Sequence, residues 1–135
     1  MNRMIFVNLP VQDLSASIAF YTALGFSNNA HFSDETAVCM VWSSEIYVML
    51  LTHDKWRQFT KKPIAPGSTS EVMLALALDS TDAVNKMNAA AAGSGGTADV
   101  NPKQELGFMY SCSFADPDGH IWEPFWMDPA AIPQS

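Results

Sequence analysis

The residue in this sequence with the clearest chemical potential is Glu123, an acid inside the apolar, strand-like run Ile121 to Trp126. A carboxylate surrounded by apolar side chains loses hydration, which raises its pKa and lets it act as a general base near neutral pH. The same carboxylate would also pair with a cationic or hydrogen-bond-donating ligand. Two roles are therefore compatible with Glu123: a proton-transfer group in catalysis, or a charged group that binds a cationic ligand.

The three histidines are not spaced as a metal site. His31 ends one strand-like run and His53 follows another, while His120 has the opposite strand parity to Glu123. Because alternate residues of a strand point to opposite faces, His120 does not share the face of Glu123. We expect all three histidines to lie in turns or at the surface.

Composition sets the limits on partners. The chain has 135 residues, of which 48% are hydrophobic and 16% charged, so disorder is excluded and a packed core is expected. The net charge is -7 and no basic cluster exceeds Lys61-Lys62, so nucleic acid is not an expected partner. No apolar run approaches the roughly 20 residues of a membrane helix, and membrane is not an expected partner either. Cys39 and Cys112 lie in apolar strand-like runs, which predicts buried, reduced thiols in a cytoplasmic protein.

The elements that must position these residues occur in the same order twice. In the first half, Asp13 is typical of a helix N-cap and Gly25 of the residue after a helix. The pattern predicts a strand at Met4–Val11, a helix from Leu14 to Leu24, strands at Phe26–Phe32, Thr36–Trp42 and Ile46–Thr52, and a short helical turn at His53–Phe59.

The second half repeats strand, helix and three strands. Asp79 or Ser80 is expected to cap its helix, and Gly93 to close it. The turn Asp116-Pro117-Asp118-Gly119 fits type I, with Pro at its second position and Gly at its fourth. The predicted strands are Val72–Leu78, Thr97–Val100, Phe108–Phe114 and Ile121–Trp126.

The repetition predicts one domain built from two modules. Residues 1–60 form the first module and residues 71–128 the second. Residues 61–70, rich in Pro, Gly and hydroxyl side chains, are expected to be the linker. Residues 129–135 are expected to form a loosely held tail.

Two motifs at opposite ends of the chain carry a family resemblance. The run Val11-Gln12-Asp13-Leu14, with Phe20-Tyr21 and Leu24-Gly25-Phe26, resembles the opening of the vicinal oxygen chelate superfamily. The run Asp116 to Glu123 resembles that superfamily's closing signature, in which a glutamate on the last strand points into the site. The superfamily includes glyoxalase I, extradiol dioxygenases and bleomycin resistance proteins. Each motif lies at the same end of the duplicated chain as it does in the superfamily.

The resemblance implies an α+β fold of two tandem βαβββ modules. Each module would roll a mixed sheet into half of a cup, with its helix on the convex side, as in the glyoxalase/bleomycin resistance fold. The inward-facing residues of both sheets would line the cup. Many relatives are homodimers, and we expect one here.

The resemblance also implies four metal-ligand positions on inward strand faces. These positions fall at Phe6, Met49, near Met73 and at Glu123. Only Glu123 is a ligand that zinc, iron, manganese or nickel prefers, since those ions take nitrogen, oxygen or thiolate donors. Asn8 and Glu71 share the faces of Phe6 and Met73 by strand alternation and are the nearest polar candidates. We therefore predict a degenerate site with no bound metal and no other cofactor.

The cup lining follows from the same parity. The expected ligand-binding residues are Phe6, Asn8, Tyr47, Met49, Glu71, Met73, Phe108, Tyr110, Glu123 and Phe125. An aromatic and methionine-rich lining suits a planar or apolar small molecule. The same side chains would instead fill the cup as solid core, and this alternative stays open.

Three functions are compatible with such a lining. The first is a metal-free protein, similar to the bleomycin resistance branch, that binds a small aromatic or cationic molecule. The second is a lyase, isomerase or dioxygenase-like enzyme that uses Glu123 as general base, with Tyr110 or Asn8 polarising a carbonyl oxygen, or as part of a divalent-metal site. The third is an interaction module whose cup is filled.

Overall fold

The computed structural model describes residues 3–131, which fall into two compact units, one up to Thr69 and one from Ser70. Each unit has a mixed sheet, and in each the first strand lies parallel to the last. The predicted α+β class is confirmed, and the first half has the predicted strand, helix and three strands. In the second half five strands follow the helix, because one predicted strand is divided in two and a strand at Gln104–Glu105 was not predicted. No helix in residues 3–131 has the length and apolar character needed to span a membrane.

The first unit contains one four-stranded sheet. Its elements are β1 (Ile5–Val11), α1 (Leu14–Ala23), β2 (Ser27–Asn29), a 3-10 turn (Ala30–Phe32), β3 (Ala37–Val41), β4 (Ile46–Thr52) and α2 (His53–Phe59). The strand order is β1-β4-β3-β2, in which only the β1–β4 pair is parallel.

The predicted ends of α1 are confirmed. The Asp13 carboxylate accepts a hydrogen bond from the Ala16 amide at 3.1 Å, which satisfies one free N–H of the first turn. Gly25 follows the helix with φ at +106°, a conformation that glycine adopts without steric cost. The strand after it is shorter than predicted, because the Asn29 side chain accepts from the His31 amide and starts the 3-10 turn.

The second unit contains a larger sheet. Its elements are β5 (Met73–Ala77), α3 (Thr81–Gly93), β6 (Thr97–Ala98), β7 (Gln104–Glu105), β8 (Met109–Ser111), β9 (Phe114–Ala115), β10 (Ile121–Met127) and a 3-10 turn (Pro129–Ala131). The order is β6-β9-β10-β8-β7, with β5 parallel to β10.

The boundaries of α3 refine the prediction. Ser80, rather than Asp79, caps the helix by accepting from the Ala83 amide at 3.0 Å. Gly93 is the last helical residue, and the positive φ that closes the helix belongs to Gly95, at +100°. The turn that follows is held by the Gly96 amide, which donates to the Ala91 carbonyl at 2.9 Å.

One predicted strand is divided in two by a proline on its partner. Residues of β8 and β9 keep a single continuous register against β10, but pairing is interrupted around Cys112. The Cys112 amide donates to the Pro124 carbonyl at 3.1 Å, and Pro124 has no N–H to return the bond. The predicted strand Phe108–Phe114 is therefore two short strands.

Candidate functional site

In the first unit, one sheet face packs on α1 and the other does not. Val48, Leu50 and Met40 share the first face and are fully buried, and α1 contacts their strands β3 and β4. The residues of opposite parity form the second face, which we call the open face of the first unit: Phe6, Asn8, Tyr47, Met49 and Cys39. Four of the predicted binding residues are therefore brought together on this face.

The main feature of this face is a stacked aromatic pair. Phe6 and Tyr47 lie directly opposite each other in the parallel β1–β4 pair, with ring centroids 4.4 Å apart and ring planes within 8°. Phe6 remains 49% exposed, and the Tyr47 hydroxyl donates to the Ser44 carbonyl at 2.8 Å. The pair offers a flat, accessible aromatic surface held in place by backbone pairing.

Beside the aromatic pair lies a row of three different functional groups. Asn8 is opposite Met49 on β4, and Met49 is opposite Cys39 on β3. Asn8 is exposed, Met49 is half-buried, and Cys39 is buried. Burial raises the pKa of the Cys39 thiol, so this thiol is protonated at neutral pH. The row provides a hydrogen-bonding amide next to polarisable sulfur atoms.

In the second unit, Glu123 lies on the sheet face that α3 does not cover. Trp122 and Pro124, of opposite parity, are buried, and α3 contacts β10. Glu123 is half-buried, and Phe125 and Met127 share its face, which we call the open face of the second unit. The carboxylate therefore lies between water and an apolar strip.

The residue opposite Glu123 in the sheet is a small apolar one. In the parallel β5–β10 pair, Ala75 lies opposite Glu123, whereas Met73 lies opposite Ile121. Met73 therefore shares the strand parity of Glu123 but lies one pair away along the sheet. Met73 is 55% exposed and Glu71, just before β5, is also exposed.

Tyr110 and Phe108 do not share the face of Glu123. Tyr110 lies opposite Trp126, and its hydroxyl donates to Asn85 Oδ1 of α3 at 2.6 Å, on the helix-covered side. The nearby Cys112 thiol and burial raise the pKa of the Tyr110 hydroxyl, which stays protonated. Phe108 precedes β8 and is 49% exposed.

The residues that do share the face of Glu123 include three that sequence analysis missed. Ser111 lies opposite Phe125 and Met109 opposite Met127, while Ala75 flanks the acid on the other side. The sequence carried no clear signal for the first two. Counting outward from a four-residue turn at Asp116–Gly119 would pair residue 115 with residue 120, whereas the observed register pairs Ala115 with Ile121 and so places Ser111 on the side of Glu123.

The donor set does not fit the divalent metal that the family resemblance implies. Phe6 and Met49 carry no hard donor, and the side chain beside Glu123 is the methyl group of Ala75. In residues 3–131, no three His, Cys, Asp or Glu side chains are grouped closely enough to hold a metal ion. The histidines lie elsewhere: His31 in the 3-10 turn, His53 at the start of α2, and His120 just before β10.

The chain is similar in fold to many solved structures. A hypothetical protein from S. aureus is 25% identical, with a TM-score of 0.78 over 93% of this chain and 94% of that chain. A glyoxalase/bleomycin resistance protein/dioxygenase family enzyme from Burkholderia phytofirmans is 19% identical, with a TM-score of 0.74 over 90% and 96%. A glyoxalase-related enzyme from Fulvimarina pelagi is 20% identical, also with a TM-score of 0.74, over 93% and 88%.

Sequence comparison gives a narrower match. The profile of a family described as bleomycin resistance protein-like N-terminal matches residues 3–43. No curated protein matches the sequence. Together, the profile and the solved structures confirm the resemblance to the vicinal oxygen chelate superfamily, and the chain has the glyoxalase/bleomycin resistance fold.

Proposed function

We propose that this protein binds small, planar, cationic molecules without the help of a metal. The observation that carries the proposal is the exposed Phe6–Tyr47 stack on the open face of the first unit. A flat cation gains both apolar contact and cation–π attraction on such a surface. A planar ligand that covers the exposed Phe6 ring is therefore expected to bind favourably.

The charge of the protein favours the same class of ligand. The net charge of -7 attracts cations to the surface, and the effect weakens as salt is added. On the open face of the second unit, Glu123 supplies a half-buried carboxylate beside Phe125. A carboxylate that is partly shielded from water pairs more strongly with a cation than a fully exposed one does.

The setting we propose is a cytoplasmic homodimer. Cys39 and Cys112 are free, buried thiols, as expected in a reducing compartment. Apolar side chains are exposed at the start of β1 and just before and within β5, among them Ile5 at 56% and Val72 at 58%. Exposed apolar patches of this kind favour self-association. Light scattering of the purified protein tests the dimer.

A binding test uses two cationic dyes, ethidium and thioflavin T, with thermal shift as the readout. We expect both dyes to raise the melting temperature, because a ligand that binds only the folded state stabilises it. F6A removes one ring of the stack and should weaken binding about tenfold. The matched control is F32A, which removes an aromatic ring that is 70% exposed in the 3-10 turn.

The contribution of Glu123 is tested separately. E123Q keeps the shape and removes the charge, so we expect weaker binding of the cations and unchanged binding of a neutral planar probe such as naphthalene. E105Q, at an exposed position on β7, controls for the change in net charge. Flat melting curves with both dyes, or equal effects of F6A and F32A, would contradict the proposal.

The enzyme alternative loses one of its expected groups. Tyr110, expected to polarise a carbonyl near Glu123, lies on the helix-covered face and donates to Asn85. E123Q also separates the two classes, since an enzyme that relied on this base would lose nearly all turnover while a binding protein would keep part of its affinity.

A further inference from the structure

The positive charge of this acidic protein is concentrated in one short segment. Four of its seven basic residues lie between positions 55 and 62: Lys55, Arg57, Lys61 and Lys62. No acidic residue lies between Asp54 and Glu71. The segment therefore has a charge opposite to that of the chain as a whole.

Three of these cations line a single concavity. The space measures about 570 Å³, within the size range of small-molecule sites, and lies in the first unit next to α2. Its lining consists of Arg57, Thr60, Lys61, Lys62, Pro63 and Ile64. The charged side chains of the lining are all positive, which gives the concavity a preference for anions.

Local hydrogen bonds fix the backbone that carries the two lysines. The Thr60 amide donates to the Trp56 carbonyl at 3.3 Å and ends α2. The Thr60 hydroxyl then accepts from the Lys62 amide at 3.2 Å, a turn that threonine commonly forms. Pro63 confines Lys62 to an extended backbone. The backbone of Lys61 and Lys62 therefore has a defined conformation after the end of α2.

The guanidinium of Arg57 is weakly engaged. Its Nη1 lies 3.5 Å from Asp54 Oδ1, and the two side chains are 61% and 96% exposed. An ion pair this exposed contributes little, so an incoming anion competes with it at small cost. The planar guanidinium of Arg57 and the ammonium groups of Lys61 and Lys62 are all hydrogen-bond donors with a positive charge. Such a set suits a dianion that has several acceptor oxygens.

We propose that this concavity binds a phosphate group carried by a small molecule or by a lipid headgroup. Its lining includes none of the residues named on the open face of the first unit, and its ligand has the opposite charge to the ligand proposed there. Four cations are too few to follow a nucleic acid backbone, but three suffice for one phosphate group.

The test is a titration of the full chain with glycerol 3-phosphate, followed by amide chemical shifts. We expect saturable shifts in residues 57–64 that sodium chloride at equal ionic strength does not reproduce. K61Q/K62Q should bind about tenfold more weakly, because charge-assisted hydrogen bonds are lost. The matched control, K86Q/K103Q, loses the same two charges in the second unit and should bind within about twofold of the parent.

A second arm uses sedimentation with phosphatidylcholine vesicles, with and without phosphatidic acid. Binding of glycerol 3-phosphate alone assigns a soluble ligand, and binding of the phosphatidic acid vesicles alone assigns a lipid headgroup. The proposal is overturned if neither probe binds, or if K86Q/K103Q weakens binding as much as K61Q/K62Q does. Melting temperatures of the variants show whether they are folded.

Discussion

At the scale of single residues, Asp34 organises the turn between the 3-10 turn and β3. One of its carboxylate oxygens accepts from the Thr36 hydroxyl and the Thr36 amide, both at 2.7 Å, and from the Ala37 amide at 3.0 Å. These hydrogen bonds, the Thr36 hydroxyl first, hold the pKa of Asp34 below its ordinary 3.8. The charged carboxylate therefore organises the turn.

This arrangement predicts a pH-dependent contribution to stability. Because folding lowers the pKa of Asp34, its contribution is fully present above the ordinary pKa of 3.8 and is lost as the pH falls through the lower folded value. D34N should be less stable than the parent at pH 7, and the difference should shrink below about pH 4. Urea unfolding at several pH values measures this.

The adjacent acid provides the control for the Asp34 experiment. E35Q removes the same charge from the neighbouring exposed position and reports the effect of net charge alone. A difference between D34N and the parent that stays constant from pH 7 to strongly acidic conditions would exclude the proposed role of the carboxylate.

Residue identity predicted the local features well where one side chain decides the geometry. Asp13 caps α1, and Gly25 takes the positive φ that ends it. The facing of Tyr110 was not predicted, because it depends on which residues pair across the turn at Asp116–Gly119. A side chain's face follows from register, and a shift by one residue reverses it.

At the scale of elements, the end of α1 depends on the conformation of Gly25. A Cβ at this position would meet Trp42 at 3.7 Å, an ordinary contact, so the cost of a side chain lies in the backbone at φ +106°. G25A should lower the free energy of unfolding by about 1–2 kcal/mol. Urea unfolding followed by circular dichroism measures the change.

Gly93 offers the matched substitution. It is the last residue of α3, its φ is outside the positive region, and a Cβ there meets nothing within 4 Å. G93A should be neutral or stabilising by up to about 1 kcal/mol, because alanine favours a helix more than glycine does. Equal losses in G25A and G93A would show that the positive φ is not what the helix end requires.

Apart from β7, which was not predicted, the element order was predictable because caps, turns and apolar periodicity agree with one another. The exact strand limits were not, and the division of β8 from β9 shows why. It depends on Pro124, a residue of the partner strand, whose missing N–H faces Cys112. Pairing partners are distant in sequence, so local patterns do not contain them.

At the scale of the whole molecule, three of the four positions at which the family resemblance implies metal ligands, Phe6, Met49 and near Met73, carry side chains that are poor chelators. This predicts that protein purified without chelators holds far less than one zinc, nickel, iron or manganese per chain. Elemental analysis measures the content directly. About one ion per chain would contradict the prediction.

A second readout for metal does not depend on purification history. Zinc or nickel added to the protein should leave the melting temperature unchanged, since a ligand that binds the folded state would raise it. The sequence predicted the α+β class with the glyoxalase/bleomycin resistance fold. It did not predict that Ala75 flanks Glu123, since this depends on the β5–β10 register.

Pro124, which follows Glu123, affects the backbone conformation of this acid. Pro124 weakens the ladder on one side of β10, yet its ring also keeps the preceding residue, Glu123, in an extended conformation. The backbone from which the Glu123 side chain extends is thus restricted by covalent geometry as well as by neighbouring strands. Even during transient fraying of β8 or β9, residue 123 would remain extended, and a ligand would meet the acid on a backbone that is already ordered.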